Sequence, residues 1–159
     1  MKMLMMILCL CALLCGCAAA PTFETLGDDI HNQSVTVKEA VAMIPAGAEA
    51  YVCENGTLWV CEDFDLQLQT LQAGDISETV QTLSGFLPEE LTVMTGSFED
   101  LDRYEWVWTA MSDEGELICR AVILDDGRYH YCLTAMGPAA IGSDLTDQWN
   151  PIFTSFSAS

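Results

Sequence analysis

GELICRAVILDDGRYHYCLTAM, residues 115–136, decides how the chain is built. Two runs within it, 116–124 and 129–136, are rich in Ile, Val, Leu, Tyr and Cys. β-branched and aromatic side chains fit a pleated, packed surface, and Asp125-Asp126-Gly127 between the runs is a tight-turn signature. The runs are therefore predicted to pair as an antiparallel hairpin. Both alternating faces of each run are largely apolar. A sheet with one wet face shows a cleaner alternation, so these strands are expected at the centre of a sheet covered on both sides. If Asp126 and Gly127 form a two-residue turn, Val122 faces Tyr131, Ala121 faces Cys132 and Cys119 faces Thr134.

Working outward, 91–98 and 104–111 read as further strands. In 48–63, AEAYVCENGTLWVCED, Asn55-Gly56 separates two β-rich runs and predicts a second hairpin. Asp75-Ile76-Ser77-Glu78 opens a helix whose Ile76, Val80, Leu83 and Phe86 or Leu87 make one apolar stripe, closed by Pro88. Thr36-Val37-Lys38-Glu39 has the same capping pattern. Val37, Ala40, Val41 and Ile44 follow at helical spacing, predicting a short helix stopped by Pro45. At 143–156, Leu145, Trp149, Ile152, Phe153 and Phe156 fall at three- and four-residue steps, with Pro151 kinking or restarting that helix. Strands joined by short turns predict an antiparallel β-meander with helices packed on it. The fold class is α+β, and residues 34–159 form one domain.

The 159 residues carry 24 Asp+Glu against 5 Lys+Arg, a net charge of −19, and are 51% hydrophobic. That much apolar content excludes a disordered acidic tail. The charge excludes nucleic acid as a partner, because a polyanion repels a phosphate backbone.

The chain begins MKMLMMILCLCALLCG, residues 1–16: one Lys, an apolar run too short to cross a bilayer, then small residues. This is the pattern of a secretory signal peptide. Leu14-Cys15-Gly16-Cys17 resembles the lipobox of bacterial lipoproteins, with Cys15 where Ala or Ser is commoner. The resemblance implies cleavage between Gly16 and Cys17, with a diacylglyceryl group on the Cys17 thiol. Two or more acyl chains anchor stably where one is marginal. Residues 17–33 then read as an acylated Cys and a tether. Removing 1–16 takes away one Lys and no acid, so 24 acids face Lys38, Arg103, Arg120 and Arg128, a net charge of −20. An anionic membrane repels such a surface.

The element order, carried by the hairpin at 115–136 and the closing DLTDQWNPIFTSFSAS at 144–159, resembles the PsbP/DcrB-like α/β/α sandwich. That resemblance implies an accessory or binding protein rather than an enzyme. It transfers no catalytic residue and no cofactor.

Few residues point to chemistry. Of the two histidines, His31 falls in the tether and His130 in a strand, where Cys132 shares its face. A Cys132–His130 pair would suit a thiol-dependent enzyme or hydrolase, and an acidic pair would be another route to hydrolysis. Cys119, His130 and Cys132 on one face lack the spacing of a zinc site, so no metal is assigned. Four cysteines follow Cys17, namely Cys53, Cys61, Cys119 and Cys132. Cys53 and Cys61 are expected on opposite faces of their hairpin. Cys119 and Cys132 share a face as diagonal neighbours, the first candidates for a disulfide, although reduced thiols are favoured. Carboxylates cluster at Asp63 and Asp65, at Glu99, Asp100 and Asp102, and at Asp113, Glu114 and Glu116. They read as a solvated acidic surface, with weak calcium binding as an alternative. Tyr104, Trp106 and Trp108 share one strand face and offer a candidate ligand groove, although filling the core is the commoner fate of such a stripe. The expected protein is a non-catalytic, lipid-anchored binding or accessory module of the cell envelope. Its partners would be the membrane, through Cys17, and an unidentified protein or small ligand.

Overall fold

The computed structural model describes residues 37–159. The expected signal peptide (1–16), Cys17 and the tether (17–33) lie outside the described residues. The central hairpin forms as β7 (Gly115–Asp125) and β8 (Tyr129–Pro138). Asp125 pairs with His130, so Cys119 faces Met136, Ala121 faces Thr134 and Ile123 faces Cys132. This register is displaced by two residues from that of a two-residue turn. The connection is wider because side chains build it. Asp125 Oδ1 accepts from the Gly127 N–H at 2.7 Å, and Asp126 Oδ1 accepts from the N–H groups of Arg128 and Tyr129 at 2.8 and 2.7 Å. A displacement of two keeps every side chain on its expected face.

The remaining strands of the large sheet are β2 (Glu49–Cys53), β3 (Gly56–Val60), β4 (Asp65–Gln72), β5 (Met94–Phe98) and β6 (Leu101–Ser112). Their order is β2-β3-β4-β8-β7-β6-β5, with every pairing antiparallel. The sheet is thus two meanders, β2 to β4 and β5 to β8, zipped together along β4 and β8. Helix α1 (Ile76–Ser84) connects them. Its N-cap Asp75 accepts from the Ser77 N–H at 2.8 Å, and Gly85, at φ 79°, closes it through its N–H to the Gln81 carbonyl. Helix α2 (Gly142–Ser155) follows β8 and continues through Pro151.

Each helix covers one face of the sheet. On the α2 face, Leu66, Val122, Leu124, Tyr131, Leu133 and Ala135 pack with Leu145, Trp149, Ile152, Phe153 and Phe156. On the α1 face, Trp106, Trp108, Cys119, Ala121, Ile123 and Cys132 pack with Val80, flanked by Ile76 and Leu83. Burying one Leu-sized side chain contributes about 1.5–3 kcal/mol, so two such layers hold β7 and β8 from both sides. The expectation of an α+β sandwich is met.

Three expectations are corrected. Residues 37–44 are not helical: β1 (Ala40–Val41) pairs with β9 (Ser157–Ala158) in a separate two-stranded ribbon. Ala40, Ala42 and Ile44 pack against the core while Val37, Val41 and Met43 are exposed. That is a period of two, which the apolar residues at 37 and 41 disguise as a period near four. The second correction is β4, a central strand that the sequence reading passes over although Leu66 and Leu68 alternate with Gln67 and Gln69. Finally, the 91–98 run begins its strand only at Met94, after a 3-10 turn at Pro88–Glu90.

The second hairpin also turns earlier than Asn55-Gly56 suggests. Cys53 pairs with Gly56, leaving Glu54 and Asn55 as the connection. Gly56 has no positive φ. Its lack of a side chain matters for another reason: a Cβ there would collide with the carbonyl oxygen of Leu68 on β4. Backbone cannot yield as a flexible side chain can. Gly56→Ala is therefore expected to destabilise by about 2–3 kcal/mol in urea unfolding. Gly96→Ala on β5, where nothing lies within 4 Å of the added methyl, should stay within about 0.5 kcal/mol of the parent.

Candidate functional site

The aromatic residues expected to floor a groove are instead interior. Trp106 and Trp108 are buried beneath α1, with ring centroids 6.0 Å apart and planes inclined by 26°. Tyr104 flanks the same layer half-exposed. The stripe fills the core because α1 crosses it, which the spacing within one strand could not reveal.

The four cysteines among the described residues, Cys53, Cys61, Cys119 and Cys132, are free thiols. Cys119 lies opposite Met136 and Cys132 opposite Ile123, so the two are four residues apart along the hairpin. That is about 13 Å at ordinary strand rise, far beyond the reach of a disulfide. The expected diagonal contact is lost with the register displacement. Burial pushes both thiols up to about 12. Cys61 is pushed up to about 11, by burial first and then by the charge of Asp65. Protonated thiols are poor nucleophiles. Cys53 and Cys61 keep opposite faces as expected, since Cys53 pairs with Gly56 while Val60 pairs with Glu49.

Cys132 and His130 share the α1 face, but their side chains do not meet. The Cys132 thiol donates to the His130 carbonyl at 3.7 Å. The His130 imidazole, 1% exposed, has Nδ1 2.8 Å from the Thr79 hydroxyl and Nε2 3.5 Å from Asp125 Oδ2. An ionised Asp125 only accepts. The tautomer that suits both neighbours carries its proton on Nε2 and receives the Thr79 O–H at Nδ1. The line Thr79–His130–Asp125 has the order of an acyl-transfer triad, yet Thr79 and His130 are closed off from solvent. The N–H groups of Ser77, Glu78 and Thr79 in the first turn of α1 are bonded to Asp75, which takes up donors an oxyanion would need. The line acts as a polar clamp fastening α1 to the β7–β8 turn.

A second set of polar groups on this face has no such closure. Asp65 is 3% exposed, and neither of its carboxylate oxygens has a hydrogen-bond partner. Thr134 Oγ1 and Trp106 Nε1 are also buried and unpartnered. Burial pushes Asp65 up to about 6. The acidic pair Asp63 and Asp65 is split, Asp63 being exposed and Asp65 buried. Among the described residues no three His, Cys, Asp or Glu side chains are grouped to hold a metal ion.

The α2 face carries an ionic cluster. Glu105 Oε1 accepts from Arg120 Nη2 at 2.5 Å and Glu105 Oε2 from Arg103 Nη2 at 3.0 Å. Arg120 also reaches Asn150 at 2.9 Å and lies over the Phe153 ring at 4.4 Å. Burial raises Glu105, but hydrogen bonds and charge from Arg120 and Arg103 outweigh it and hold the carboxyl below its ordinary range. This cluster ties β6 and β7 to α2.

Sequence reasoning missed Thr79 and Asp125, and it placed Asp65 on a solvated acidic surface where the structure buries it. Signals were present. Thr79 adjoins Val80 in the apolar stripe of α1, and Asp65 opens the Leu-Gln alternation of β4 at an inward position.

No family model and no curated protein matches the chain. Solved structures do. Cyanobacterial PsbP (CyanoP) from Synechocystis aligns with a TM-score of 0.55 at 7% identity, covering 83% of this chain and 98% of its own. LpqN of Mycobacterium tuberculosis aligns at 0.51 and 12% identity, covering 82% and 88%. A crystal structure from Bacteroides thetaiotaomicron aligns at 0.52 and 8%, covering 76% of this chain and 45% of that one. The fold is PsbP-like, as the element order implied.

Thr79→Val keeps shape but leaves the buried His130 Nδ1 without its hydroxyl. It should destabilise by about 1–3 kcal/mol, lowering the thermal midpoint by several degrees. Asp65 has a signed pH effect. Its folded value, about 6, lies above the unfolded 3.8. The wild type therefore loses stability as pH rises between these values and stays at the lower level above them. Asp65→Asn removes that loss. Its stability relative to wild type should rise by roughly 2–3 kcal/mol between pH 4 and pH 7.5 in urea unfolding.

Proposed function

We propose that this protein is a non-catalytic binding or accessory module of the cell envelope, held outside the cytoplasm by acyl chains on Cys17. The observation that carries this reading is Leu14-Cys15-Gly16-Cys17 at the end of a signal-like run, ahead of a PsbP-like domain that begins its first strand at Ala40. Nineteen residues lie between Cys17 and Val37, enough chain to reach up to about 70 Å when extended. A net charge of −20 after Cys17 favours standing off an anionic membrane. LpqN, similar in fold, is described as involved in cell envelope biogenesis, which supports the same location here. Among the described residues no helix is long and apolar enough to cross a membrane.

Against a thiol enzyme stands the chemistry of the one pairing the sequence offered. Cys132 is buried, protonated and turned to a carbonyl, and His130 is engaged by Thr79 and Asp125. Binding rather than turnover is the reading this interior supports.

In a bacterial host with lipoprotein processing, the wild type should incorporate labelled palmitate and sediment with membranes. Cys17→Ser should lose the label and retain the uncleaved precursor, whereas Cys15→Ser should keep the label, since only Cys17 is the acylated position. Labelling that persists in Cys17→Ser would falsify the anchor.

A further inference from the structure

The three unpartnered polar groups of the α1 face lie on two adjacent rungs of the sheet, Asp65 as the diagonal neighbour of Thr134 and Trp106 two strands from Thr134. Trp106, Ala121, Thr134 and Gln67 form one rung across β6, β7, β8 and β4. Asp65 pairs with Met136 on the next rung, which makes it the diagonal neighbour of Thr134. Such diagonals are about 7–8 Å apart. Ala121 separates Trp106 from Thr134 on that rung. Asp65 Oδ1 and Oδ2, Thr134 Oγ1 and Trp106 Nε1 are all buried without a partner. Groups of this kind in a folded interior are satisfied by something the chain itself does not supply.

Their chemistry specifies that something. A carboxylate at 3% exposure calls for a cation with N–H donors. Among the described residues the cations are committed elsewhere: Lys38 to Asp100, and Arg103 and Arg120 to Glu105. The remaining one, Arg128, sits in the β7–β8 turn, at the opposite end of β8 from Met136, the partner of Asp65. Thr134 accepts a further N–H, and the Trp106 indole N–H donates and so requires an oxygen on the ligand. Asp65 opens β4 just after the exposed Glu62 and Asp63, so the end of the strand that carries it adjoins exposed residues. A net charge of −20 beyond Cys17 concentrates cations at that surface.

We propose that Asp65, Thr134 and Trp106 form a binding site for a small primary ammonium ligand carrying a hydroxyl or carbonyl oxygen, an amino alcohol being the simplest member of the class. The ammonium group pairs with Asp65 and Thr134, and the oxygen accepts from Trp106 Nε1. The proposal deepens the reading of the domain as a binding module and rests on it, but not on the lipid anchor, which palmitate labelling reads separately.

The test is thermal unfolding of the full chain in detergent at pH 7.5, titrated with ethanolammonium chloride. Sodium chloride and tetramethylammonium chloride at matched ionic strength are the controls. Ethanolammonium should raise the midpoint saturably, beyond the shift given by either control. Asp65→Asn and Thr134→Val, each checked for native circular dichroism, should weaken binding about tenfold or more. Asp63→Asn removes the same charge from an exposed neighbour and should leave the affinity unchanged within about twofold. Three results overturn the proposal. One is a wild-type response no larger than the salt controls, which would assign the unpartnered atoms to internal water only. The others are equal losses in Asp63→Asn and Asp65→Asn, or full binding retained in Asp65→Asn.

Discussion

Everything in this domain is placed by the pairing of β7 with β8 and the coverage of that pair on both faces. Neither strand has a side to turn to water. Leu124, Leu133 and Ala135 demand α2, while Cys119, Ile123 and Cys132 demand α1. Once both helices are required, the two meanders must join along β4 and β8, because α1 leaves from the end of β4. The ionic cluster on Glu105 and the clamp at His130 then fasten one helix to each face. A single doubly buried hairpin thus propagates into a three-layer architecture.

How much of this could be read from the residues depended on whether the deciding contact was local. The central hairpin was legible because both its faces are apolar. Its face assignments survived a two-residue displacement of register because pleating has a period of two. The helix at Asp75 was legible because its cap is local. The ribbon at Ala40–Val41 was not, since its partner lies at the far end of the chain. Likewise the fate of Trp106 and Trp108 was settled by α1, and the connection of His130 to Thr79 spans two elements. The disulfide expectation failed for a quantitative reason: Cys119 and Cys132 share a face, but the side-chain-built turn moved them one step too far apart.

The α1 and α2 faces differ in how they treat polar atoms. On the α2 face Glu105, Arg103, Arg120 and Asn150 bond one another. Trp149 Nε1 is the exception there, buried without a partner beside Phe64. On the α1 face a carboxylate, a hydroxyl and an indole stand unpartnered together. A domain selected for stability alone would replace Asp65 with an apolar residue. Stability conceded at one cluster within a well-packed layer is where binding is expected to reside.

The β1–β9 ribbon also has a mechanical meaning. Glu39 and Ser159 exchange backbone hydrogen bonds at 2.9 and 3.1 Å, and the Lys38 N–H donates to the Tyr131 hydroxyl at 3.1 Å. The chain therefore enters the domain beside the place where it ends. Under the lipid-anchor reading, any tension along the leash falls first on this clasp and, through Tyr131, on β8 itself. The load reaches the centre of the sheet without passing through the exposed edges β2 and β5. The N-terminal entry of the described domain is thereby tied to the central strand of its sheet.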